Sequence, residues 1–381
     1  MEEKFICPRC GNSDQRYYGY LNGKVYCRRC ITFKGEDVEY KKREKIKANY
    51  NLKFKLSDRQ KRISEIALNN YRRGINTLIY AVTGAGKTEI VYETISYALN
   101  EGKTVGFAIP RKDVVIELLP RISKAFSKNK VIAVYGGNHS ELIGDIVLLT
   151  THQLFRYKHY FDLLIVDEID AFPYQNNDLL ESFFEKSIRG NYIFMSATPS
   201  NKIKKLFTRK GFSILTLFSR HHNYCLPVPI IKKMSKTMQY FFVVKLLKKY
   251  QKLKKRVLVF VPTIESSKSM YRYLKLFFKN INYVNSKRMD KDQIVDDFRD
   301  NKLQVLVSTS ILERGITIDD LQVVVLFANH EVYSSQALIQ IAGRSGRSIN
   351  HPTGDVYFLT DDITINIKDA IEEINFCNKN M

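Results

Sequence analysis

A glycine-bearing loop that ends in a lysine and a threonine has the composition that binds nucleotide phosphates. The loop consists of Thr83, Gly84, Ala85, Gly86, Lys87 and Thr88. An apolar run at 77–80 precedes it and a helix-forming run at 89–95 follows it. In such a P-loop the backbone N–H groups surround the phosphates, Lys87 reaches the β- and γ-phosphates, and Thr88 holds Mg²⁺. The sequence therefore predicts a site for ATP and Mg²⁺, with Ala81 in the place of the first glycine of the usual pattern.

Two carboxylates follow a second apolar run. Asp167 and Glu168 come directly after the run 163–166, and Asp170 follows shortly after them. At the end of a strand in an α/β sheet, Asp167 is expected to bind Mg²⁺ and Glu168 to polarise the water that attacks ATP. Both motifs occur in the expected order, each at the end of a strand, which makes coincidence a poor explanation. We therefore predict an ATP hydrolase.

Four cysteines have the spacing of metal ligands. They form two Cys-x-x-Cys pairs, Cys7 with Cys10 and Cys27 with Cys30. Two such pairs bring four thiolates to one tetrahedral point, the geometry of a structural zinc site, and Asn22-Gly23 between them predicts a β-hairpin. Disulfides do not suit a chain without a secretory leader. We expect one structural Zn²⁺ that supplies about 10 kcal/mol of folding energy, by analogy with zinc-finger peptides. DNA and protein both stay open as partners of this module, and Cys225 and Cys377 are expected to pack rather than react.

The chain is strongly basic. It has 61 Lys and Arg against 39 Asp and Glu, a net charge of +22 that is typical of proteins that bind nucleic-acid phosphates. An AT-rich genome also produces lysine-rich proteins, so the distribution of charge matters more than its sum. Residues 41–55 carry seven basic residues against Glu44 and predict a basic linker. Residues 231–256 carry ten basic residues, no acid, and apolar residues at helical spacing, which predicts an amphipathic helix.

The elements that must position these motifs are short apolar runs between helical stretches. They precede the motifs above and recur at 257–261, 303–307 and 323–327. Such runs are typical of parallel strands buried on both faces. Because 381 residues exceed one typical core, we predict an α/β fold of two RecA-like parallel-sheet lobes in tandem with a small N-terminal four-cysteine zinc ribbon. The expected boundaries are 1–40 for the four-cysteine module, 41–55 for the basic linker, 56–210 for lobe 1 and 211–381 for lobe 2.

Further motifs resemble those of superfamily 2 helicases. The matching positions are Gln60 for the upstream glutamine that reads adenine, Ser196, Ala197 and Thr198 for motif III, and Gln340, Arg344 and Arg347 for motif VI. The resemblance implies that motif III and Gln340 couple the two lobes. It also implies that the two arginines act at the γ-phosphate, where arginine fingers of other NTPases raise rates by ~10³ to 10⁵.

Other residues lie where this superfamily holds a nucleic-acid strand. They are Pro110 and Arg111 in motif Ia, Thr150 and Thr151 in motif Ib, and Thr309 and Arg314 in motif V. The resemblance implies phosphate contacts through hydroxyls, amides and arginines, with Gly315 at the ATP site. Thr317 replaces an aspartate of many DEAD-box RNA helicases, and motif II reads Asp-Glu-Ile-Asp. Both departures favour DNA over RNA.

Within the superfamily, the chain most resembles the ComFA family of competence proteins. The N-terminal module, the run Thr-Thr-His-Gln-Leu-Phe-Arg at 150–156 and the run Gln-Ile-Ala-Gly-Arg-Ser-Gly-Arg at 340–347 carry this resemblance. It implies an ATP-driven translocase on single-stranded DNA that serves DNA uptake in natural competence, with other competence proteins and the membrane DNA channel as partners.

Three alternatives remain: an RNA helicase, a replication-restart-type DNA helicase, and a zinc-tethered DNA-binding adaptor with a degenerate ATPase. The adaptor is disfavoured because the catalytic set of Lys87, Asp167, Glu168 and both arginines is complete. No apolar run approaches the ~20 residues of a membrane-spanning helix. We therefore expect a cytoplasmic protein, or one that is peripheral on the inner face of the membrane.

Overall fold

The computed structural model describes residues 5–170, 177–312 and 318–381. Contacts between the elements divide the chain into two units, which we call the first and the second lobe. The first comprises the residues up to Ala81 together with Gly86–Leu217, and the second comprises Val82–Ala85 together with Phe218–Met381. The division lies after Leu217 rather than after residue 210, because the strand Ser213–Leu217 pairs in parallel with Thr77–Ala81.

The cysteine module, residues 5–40, contains an antiparallel hairpin of β1 (Tyr18–Leu21) and β2 (Lys24–Cys27), preceded by one turn of 3₁₀-helix, Gln15–Tyr17. Asn22 and Gly23 between the strands have φ of 48° and 76°. This left-handed conformation is what a two-residue type I′ turn requires, and an Asn-Gly pair supplies it at little cost. The hairpin predicted from the sequence is therefore confirmed.

The first lobe is built on a parallel sheet. Its strands are β3 (Thr77–Ala81), β4 (Val105–Ile109), β5 (Val131–Val134), β6 (Ile146–Thr150), β7 (Phe161–Asp167), β8 (Ile188–Ser196) and β9 (Ser213–Leu217). Its helices are α1 (Asp58–Arg72), α2 (Lys87–Ile90), α3 (Tyr92–Asn100), α4 (Lys112–Ala125), α5 (Asp178–Ser187) and α6 (Asn201–Arg209), with a 3₁₀ segment at Thr151–Arg156. The described strands lie in the order β5-β6-β4-β7-β8-β3-β9, and all neighbours are parallel. Strands β3, β4, β6 and β7 are buried along their whole length, as their continuous apolar runs predict.

The second lobe repeats this architecture. Its strands are β10 (Ile230–Lys233), β11 (Arg256–Phe260), β12 (Ile281–Val284), β13 (Val305–Ser308), β14 (Leu321–Val325) and β15 (Val356–Thr360). Its helices are α7 (Lys236–Lys252), α8 (Ile264–Lys275), α9 (Lys291–Arg299), α10 (Ser335–Ala342) and α11 (Ile365–Lys379), with a 3₁₀ turn at Ser310–Leu312. The described strands are parallel in the order β10-β15-β14-β11-β13-β12. The basic helix predicted within 231–256 is α7, and it starts at the N-cap Ser235, whose side chain accepts from the backbone N–H of Met238.

The basic segment 41–55 runs along the first lobe without regular secondary structure, and we call it the strap. Ala48 is fully buried, and its backbone N–H donates to Asn100 Oδ1 at 2.8 Å while its carbonyl accepts from Ser96 Oγ at 2.7 Å. Arg43 forms an ion pair with Asp145 at 3.4 Å. The strap is therefore held against the lobe by backbone and side-chain bonds along its length. Among the described helices, none combines the length and the apolar composition that crossing a bilayer requires.

Candidate functional site

The glycine-bearing loop follows the end of β3, as predicted. Gly84 and Gly86 have φ of 81° and 74°, and a Cβ atom at Gly86 would lie 2.6 Å from Gln60 Nε2. Both the backbone conformation and the close approach therefore require glycine at this second position. Lys87 opens α2 and donates from Nζ to the carbonyl oxygen of Ala81 at 3.0 Å. The lysine is thus folded over the loop whose backbone N–H groups would receive phosphate.

The remaining residues of this loop differ in how far they are buried. Thr83, Ala85 and Thr88 are buried, whereas Gly84 and Lys87 keep part of their surface accessible. Because Lys87 is partly accessible, its amine can leave the carbonyl oxygen of Ala81 and bind a phosphate oxygen instead.

The predicted catalytic carboxylates end β7 at the same edge of the sheet. Strand β8 lies between β7 and β3, with Asp167 paired to Met195 and Tyr80 paired to Ser196, so the three strand ends are level. Asp167 Oδ1 accepts from the backbone N–H of Glu168 at 2.8 Å. The carboxyl ends of parallel strands are where α/β sheets bind their ligands.

Glu168 is held in an uncommon backbone conformation. Its φ is 55°, in the left-handed region that residues other than glycine and asparagine seldom adopt. Strain of this kind is concentrated at functional sites. It turns the chain sharply after Asp167, so two consecutive carboxylates need not point to opposite faces as they would in a continuing strand.

The motif III residues hold the third carboxylate of motif II, for which the sequence indicated no separate role. Ser196 Oγ donates to Asp170 Oδ1 at 2.6 Å, and Thr198 Oγ1 donates to Asp170 Oδ2. The backbone N–H of Thr198 donates in turn to Ser196 Oγ at 2.9 Å. All three residues are buried, as is Ala197. Motif III is thereby hydrogen-bonded to motif II through Asp170, and a shift of one motif would displace the other.

Gln60 has a structural role at the start of α1. Its Oε1 accepts from the backbone N–H of Ser57 at 2.8 Å, and its own backbone N–H donates to Ser57 Oγ at 3.3 Å, which completes a capping box. Its amide end lies against Gly86 of the P-loop. The position beside the loop suits the predicted adenine contact, which stays a prediction.

The motif Ia and Ib residues lie beside each other at the edge that carries the carboxylates. Strands β4 and β6 are neighbours, with Ile109 paired to Thr150, so Arg111 and Thr151 follow adjacent strand ends. Arg111 is half-buried as the N-cap of α4, and Pro110 is buried. Thr151 is 0% exposed, and its hydroxyl has no hydrogen-bond partner in the described part of the chain. The accessible surface of its turn comes instead from the half-buried side chains of His152 and Gln153.

Only some of the site residues predicted for the second lobe lie in the described part of the chain. Thr309 follows β13 and is buried. Arg314 and Gly315, together with Thr317, lie outside the described residues. Gln340 is buried on α10, and Arg344 is buried in the turn that follows. Arg347 donates from Nε to the carbonyl oxygen of Gly343 at 2.9 Å.

One residue beside this turn was missed by the sequence analysis. Arg220 lies in the segment that joins the two sheets, and its guanidinium contacts the backbone carbonyls of Gly343, Ser345 and Gly346. Nothing in the local pattern Arg-His-His marks it, because its partners are more than a hundred residues away in the chain.

The four predicted metal ligands come together in the cysteine module. Cys7 Sγ lies 3.6 Å from Cys30 Sγ, Cys10 Sγ lies 3.7 Å from Cys27 Sγ, and all four sulfur atoms fall within 4.8 Å of one another. These separations exclude disulfides, whose sulfur atoms lie about 2.05 Å apart, and match the edge of about 3.8 Å that Zn–S bonds of about 2.3 Å imply for a tetrahedron. The four buried thiols therefore fit a zinc ion.

Burial opposes ionisation of the thiols, and a bound metal ion would offset this effect because it stabilises thiolates. Burial raises the pKa of Cys10 to about 11, and it also raises the pKa of Cys30. Burial opposes ionisation of Cys7 as well, yet backbone N–H groups of Cys10 and Arg9 outweigh it and lower the pKa of that thiol. Of the two remaining cysteines, Cys377 is buried as expected, whereas Cys225 is exposed.

The cysteine module shares a hydrophobic core with the first lobe. Its Phe33 ring lies 4.9 Å from the ring of Phe183 on α5 and stacks on His152 of motif Ib at 6.1 Å, both measured between centroids. The Arg9 guanidinium lies over the ring of Phe155 at 5.2 Å. In the same segment, Arg156 Nη1 donates to the carbonyl of Glu36 at 3.1 Å. The module is thus packed directly on the motif Ib segment.

Comparison with known proteins agrees with these motifs. Residues 59–206 match the model of the DEAD/DEAH box helicase family, and residues 238–349 match that of the helicase conserved C-terminal domain. The chain is 35% identical to competence protein ComFA of Streptococcus pneumoniae, over 99% of this chain and 91% of that protein. It is 32% identical to competence protein ComFA of Bacillus subtilis, over 99% and 86% of the two chains.

Solved structures show the same fold at lower identity. S. cerevisiae Dbp5 bound to RNA and ADP BeF3 has a TM-score of 0.65 and 17% identity, covering 86% of this chain and 88% of that one. RecG bound to a three-way DNA junction has a TM-score of 0.56 and 22% identity, covering 87% and 46%. Two RecA-like parallel-sheet lobes are therefore confirmed as the architecture.

Proposed function

Because the chain belongs to the ComFA family of competence proteins and carries both superfamily 2 helicase domains, we propose that its ATPase drives movement along single-stranded DNA during the uptake of transforming DNA. That it is an ATP-dependent, helicase-like competence motor follows from the family itself. The proposal adds the substrate strand, the roles of individual residues, and the place of work, which is the cytoplasmic side of the membrane DNA channel beside other competence proteins.

The observation that carries the proposal is the level alignment of three strand ends in the first lobe. It supports a single site formed by the P-loop after β3, the carboxylates after β7 and motif III after β8. Lys87 would bind the β- and γ-phosphates, and Thr88 with Asp167 would hold Mg²⁺, which neutralises phosphate charge when bound. Glu168 would orient and polarise water, and Arg344 and Arg347 of the second lobe would supply positive charge to the γ-phosphate.

The nucleic-acid track would begin at the neighbouring strand ends of the same sheet. Arg111 after β4 and the motif Ib turn after β6 lie side by side, and Thr150 is the last residue of its strand. With the Thr151 hydroxyl buried, we assign the phosphate contacts of this turn to its backbone and to the accessible side chains. Thr309 and Arg314 would continue the track on the second lobe. Contacts of this type bind the backbone and leave the bases unread.

Coupling of the two activities would use the hydrogen bonds of Asp170. This carboxylate shares motif II with the proposed catalytic pair and is fastened to Ser196 and Thr198 of motif III. A change in occupancy at the carboxylates would therefore reach motif III through two short bonds within one lobe. Gln340 is proposed to play the corresponding part on the second lobe.

The steady-state rate of ATP hydrolysis tests the proposal directly. The rate is determined with no nucleic acid, with single-stranded DNA, with duplex DNA and with RNA of the same length, using Lys87→Ala as the catalytically dead control. We expect single-stranded DNA to stimulate the rate well above the other three conditions. Equal or greater stimulation by RNA would replace the DNA translocase with an RNA helicase, and no stimulation by any strand would replace it with a DNA-binding adaptor.

A further inference from the structure

Arg220 is a buried cation whose hydrogen bonds all go to one turn. Its side chain is 1% exposed, and Nη1 donates to the carbonyl of Ser345 at 2.9 Å and to that of Gly346, while Nη2 donates to the carbonyl of Gly343 at 3.3 Å. These carbonyls belong to residues 343–347, which we call the arginine turn because it carries Arg344 and Arg347. A planar guanidinium fork can join several acceptors in fixed directions, which a lysine cannot do.

The charge of Arg220 is expensive to bury. No carboxylate among the described residues forms an ion pair with it, and burial together with the nearby charge of Arg347 lowers its pKa to about 9. A buried cation without a counter-ion loses its hydration, and charge-assisted hydrogen bonds to carbonyl dipoles offset only part of that loss. Burial of Arg220 therefore lowers the stability of the fold, while its hydrogen bonds fix the backbone of the arginine turn.

Two further contacts restrict the same turn. His222 Nδ1 accepts from the backbone N–H of Tyr224 at 3.2 Å, so Nε2 carries the proton and donates to the carbonyl oxygen of Gly346 at 3.0 Å. Gly346 itself has φ of 64°, and a Cβ atom there would lie 2.4 Å from the carbonyl oxygen of Pro352. Arg220 and His222 thus bind the turn, and the chain around Pro352 leaves no room for a side chain at Gly346.

Arg220 and Arg347 also share an acceptor. Arg347 Nε donates to the Gly343 carbonyl at 2.9 Å, the same oxygen that receives the Nη2 bond of Arg220. Two like charges on one carbonyl repel each other, so the Arg220 guanidinium anchors the turn and also weakens the bond that holds Arg347 to the Gly343 carbonyl.

We propose that Arg220 is a positioning residue for ATP hydrolysis, which sets the backbone of the arginine turn so that Arg344 and Arg347 are held ready for the γ-phosphate. This rests on the proposed role of those two arginines. Arg220 acts through the turn and is not assigned any contact with ATP.

The test replaces the planar guanidinium of Arg220 with an amine that keeps the positive charge. In Arg220→Lys, we expect kcat for ATP at saturating single-stranded DNA to fall by about tenfold or more while KM changes by no more than about threefold, the pattern of an interaction that matters in the transition state. The midpoint of thermal unfolding is measured in parallel.

The second lobe offers a matched control in Arg256. Its guanidinium also donates to three backbone carbonyls, those of Phe298, Arg299 and Asp319, and burial lowers its pKa as well. Arg256→Lys should lower the unfolding midpoint and leave kcat close to that of the unmodified protein. If Arg220→Lys behaves like this control, Arg220 is a structural residue only and the inference is wrong.

A triple variant separates this inference from the proposed function. Single-turnover hydrolysis is compared for the pair Arg344→Ala and Arg347→Ala, for Arg220→Lys and for all three changes combined. We expect the triple variant to be no slower than the Arg344→Ala and Arg347→Ala pair within about twofold, because Arg220 acts only through these two arginines and such effects are non-additive. A further loss in the triple variant would overturn the positioning role. Unimpaired hydrolysis by the pair would instead overturn the catalytic role of the two arginines, whatever Arg220 does.

Discussion

The Nζ atom of Lys186 lies 3.1 Å from the carbonyl oxygen of Cys7, so the last turn of α5 holds the backbone of the first metal-ligand pair. The same amine also donates to the carbonyl of Pro8 at 3.0 Å. A side chain of the motor thereby fixes the loop that would bind zinc. Metal binding would therefore be linked to the structure of the first lobe through this contact and through the shared aromatic core.

Removal of the metal should therefore disturb more than the cysteine module. The cysteine spacing alone predicts that chelation unfolds residues up to 40 and leaves both lobes intact. With Phe33 packed on Phe183 and His152, we expect amide hydrogen exchange to increase in 151–156 and α5 as well. Elemental analysis should show one zinc per chain beforehand. Increased exchange confined to the module would contradict this coupling.

Lys87→Ala should abolish ATP hydrolysis and leave the fold intact. The lysine donates across its own loop to the carbonyl of Ala81, and we expect its charge to serve phosphate binding rather than packing. Turnover and circular dichroism are measured beside Lys103→Ala, an exposed lysine just before β4. Turnover near that of the control would remove Lys87 from the site.

Glu168→Gln should bind ATP and hydrolyse it very slowly. The amide keeps the shape of the side chain at a strained backbone position but cannot accept a proton, and loss of a general base costs ~10²- to 10⁴-fold in rate. Nucleotide affinity and single-turnover hydrolysis are compared with Glu181→Gln, where an exposed carboxylate pairs with Lys202. An unchanged kcat would exclude the role.

Arg111→Ala should weaken stimulation by single-stranded DNA more than it lowers the basal ATPase rate. The salt dependence of DNA binding should flatten too, because each phosphate that the protein no longer neutralises reduces the slope of log K against log salt by about 0.7 for single strands. Lys130→Ala is the control, since this exposed lysine precedes β5 at the opposite edge of the sheet. Equal effects of the two variants would mean that general charge, and not the motif Ia position, attracts DNA. Affinity should vary little with base sequence.

Local patterns in the sequence predicted the fold well and marked the strand ends at which the proposed ATP residues lie. An apolar run followed by a glycine-bearing loop marked β3, and apolar runs ending in aspartate or serine marked β7 and β8, because a buried parallel strand needs a continuous apolar run and its ligand residues follow at its end. The Asn-Gly tip likewise identified the hairpin of the cysteine module. Family resemblance supplied the order of the remaining motifs.

Features that depend on distant pairing were not predictable in the same way. Strand β9 is half exposed and was assigned to the wrong side of the lobe boundary, since only its pairing with β3 reveals where it belongs. Lysines dominate the strap, yet the residue that anchors it is the small, buried Ala48. Arg220 is one arginine among many until its three carbonyl partners are seen. Asp170 was assigned to motif II, and its bonds to motif III became visible only in three dimensions.

The common core of the cysteine module and the first lobe sets a limit on dissecting this motor. A chain shortened to begin at α1 would keep every motif of the ATP site, yet it would expose the aromatic face formed by Phe155 and Phe183 and strip Lys186 and Arg156 of their carbonyl acceptors. Exposed aromatic patches of this kind promote aggregation. Poor solubility of such a fragment would therefore result from the exposed interface, and it would not show whether the cysteine module has an activity of its own.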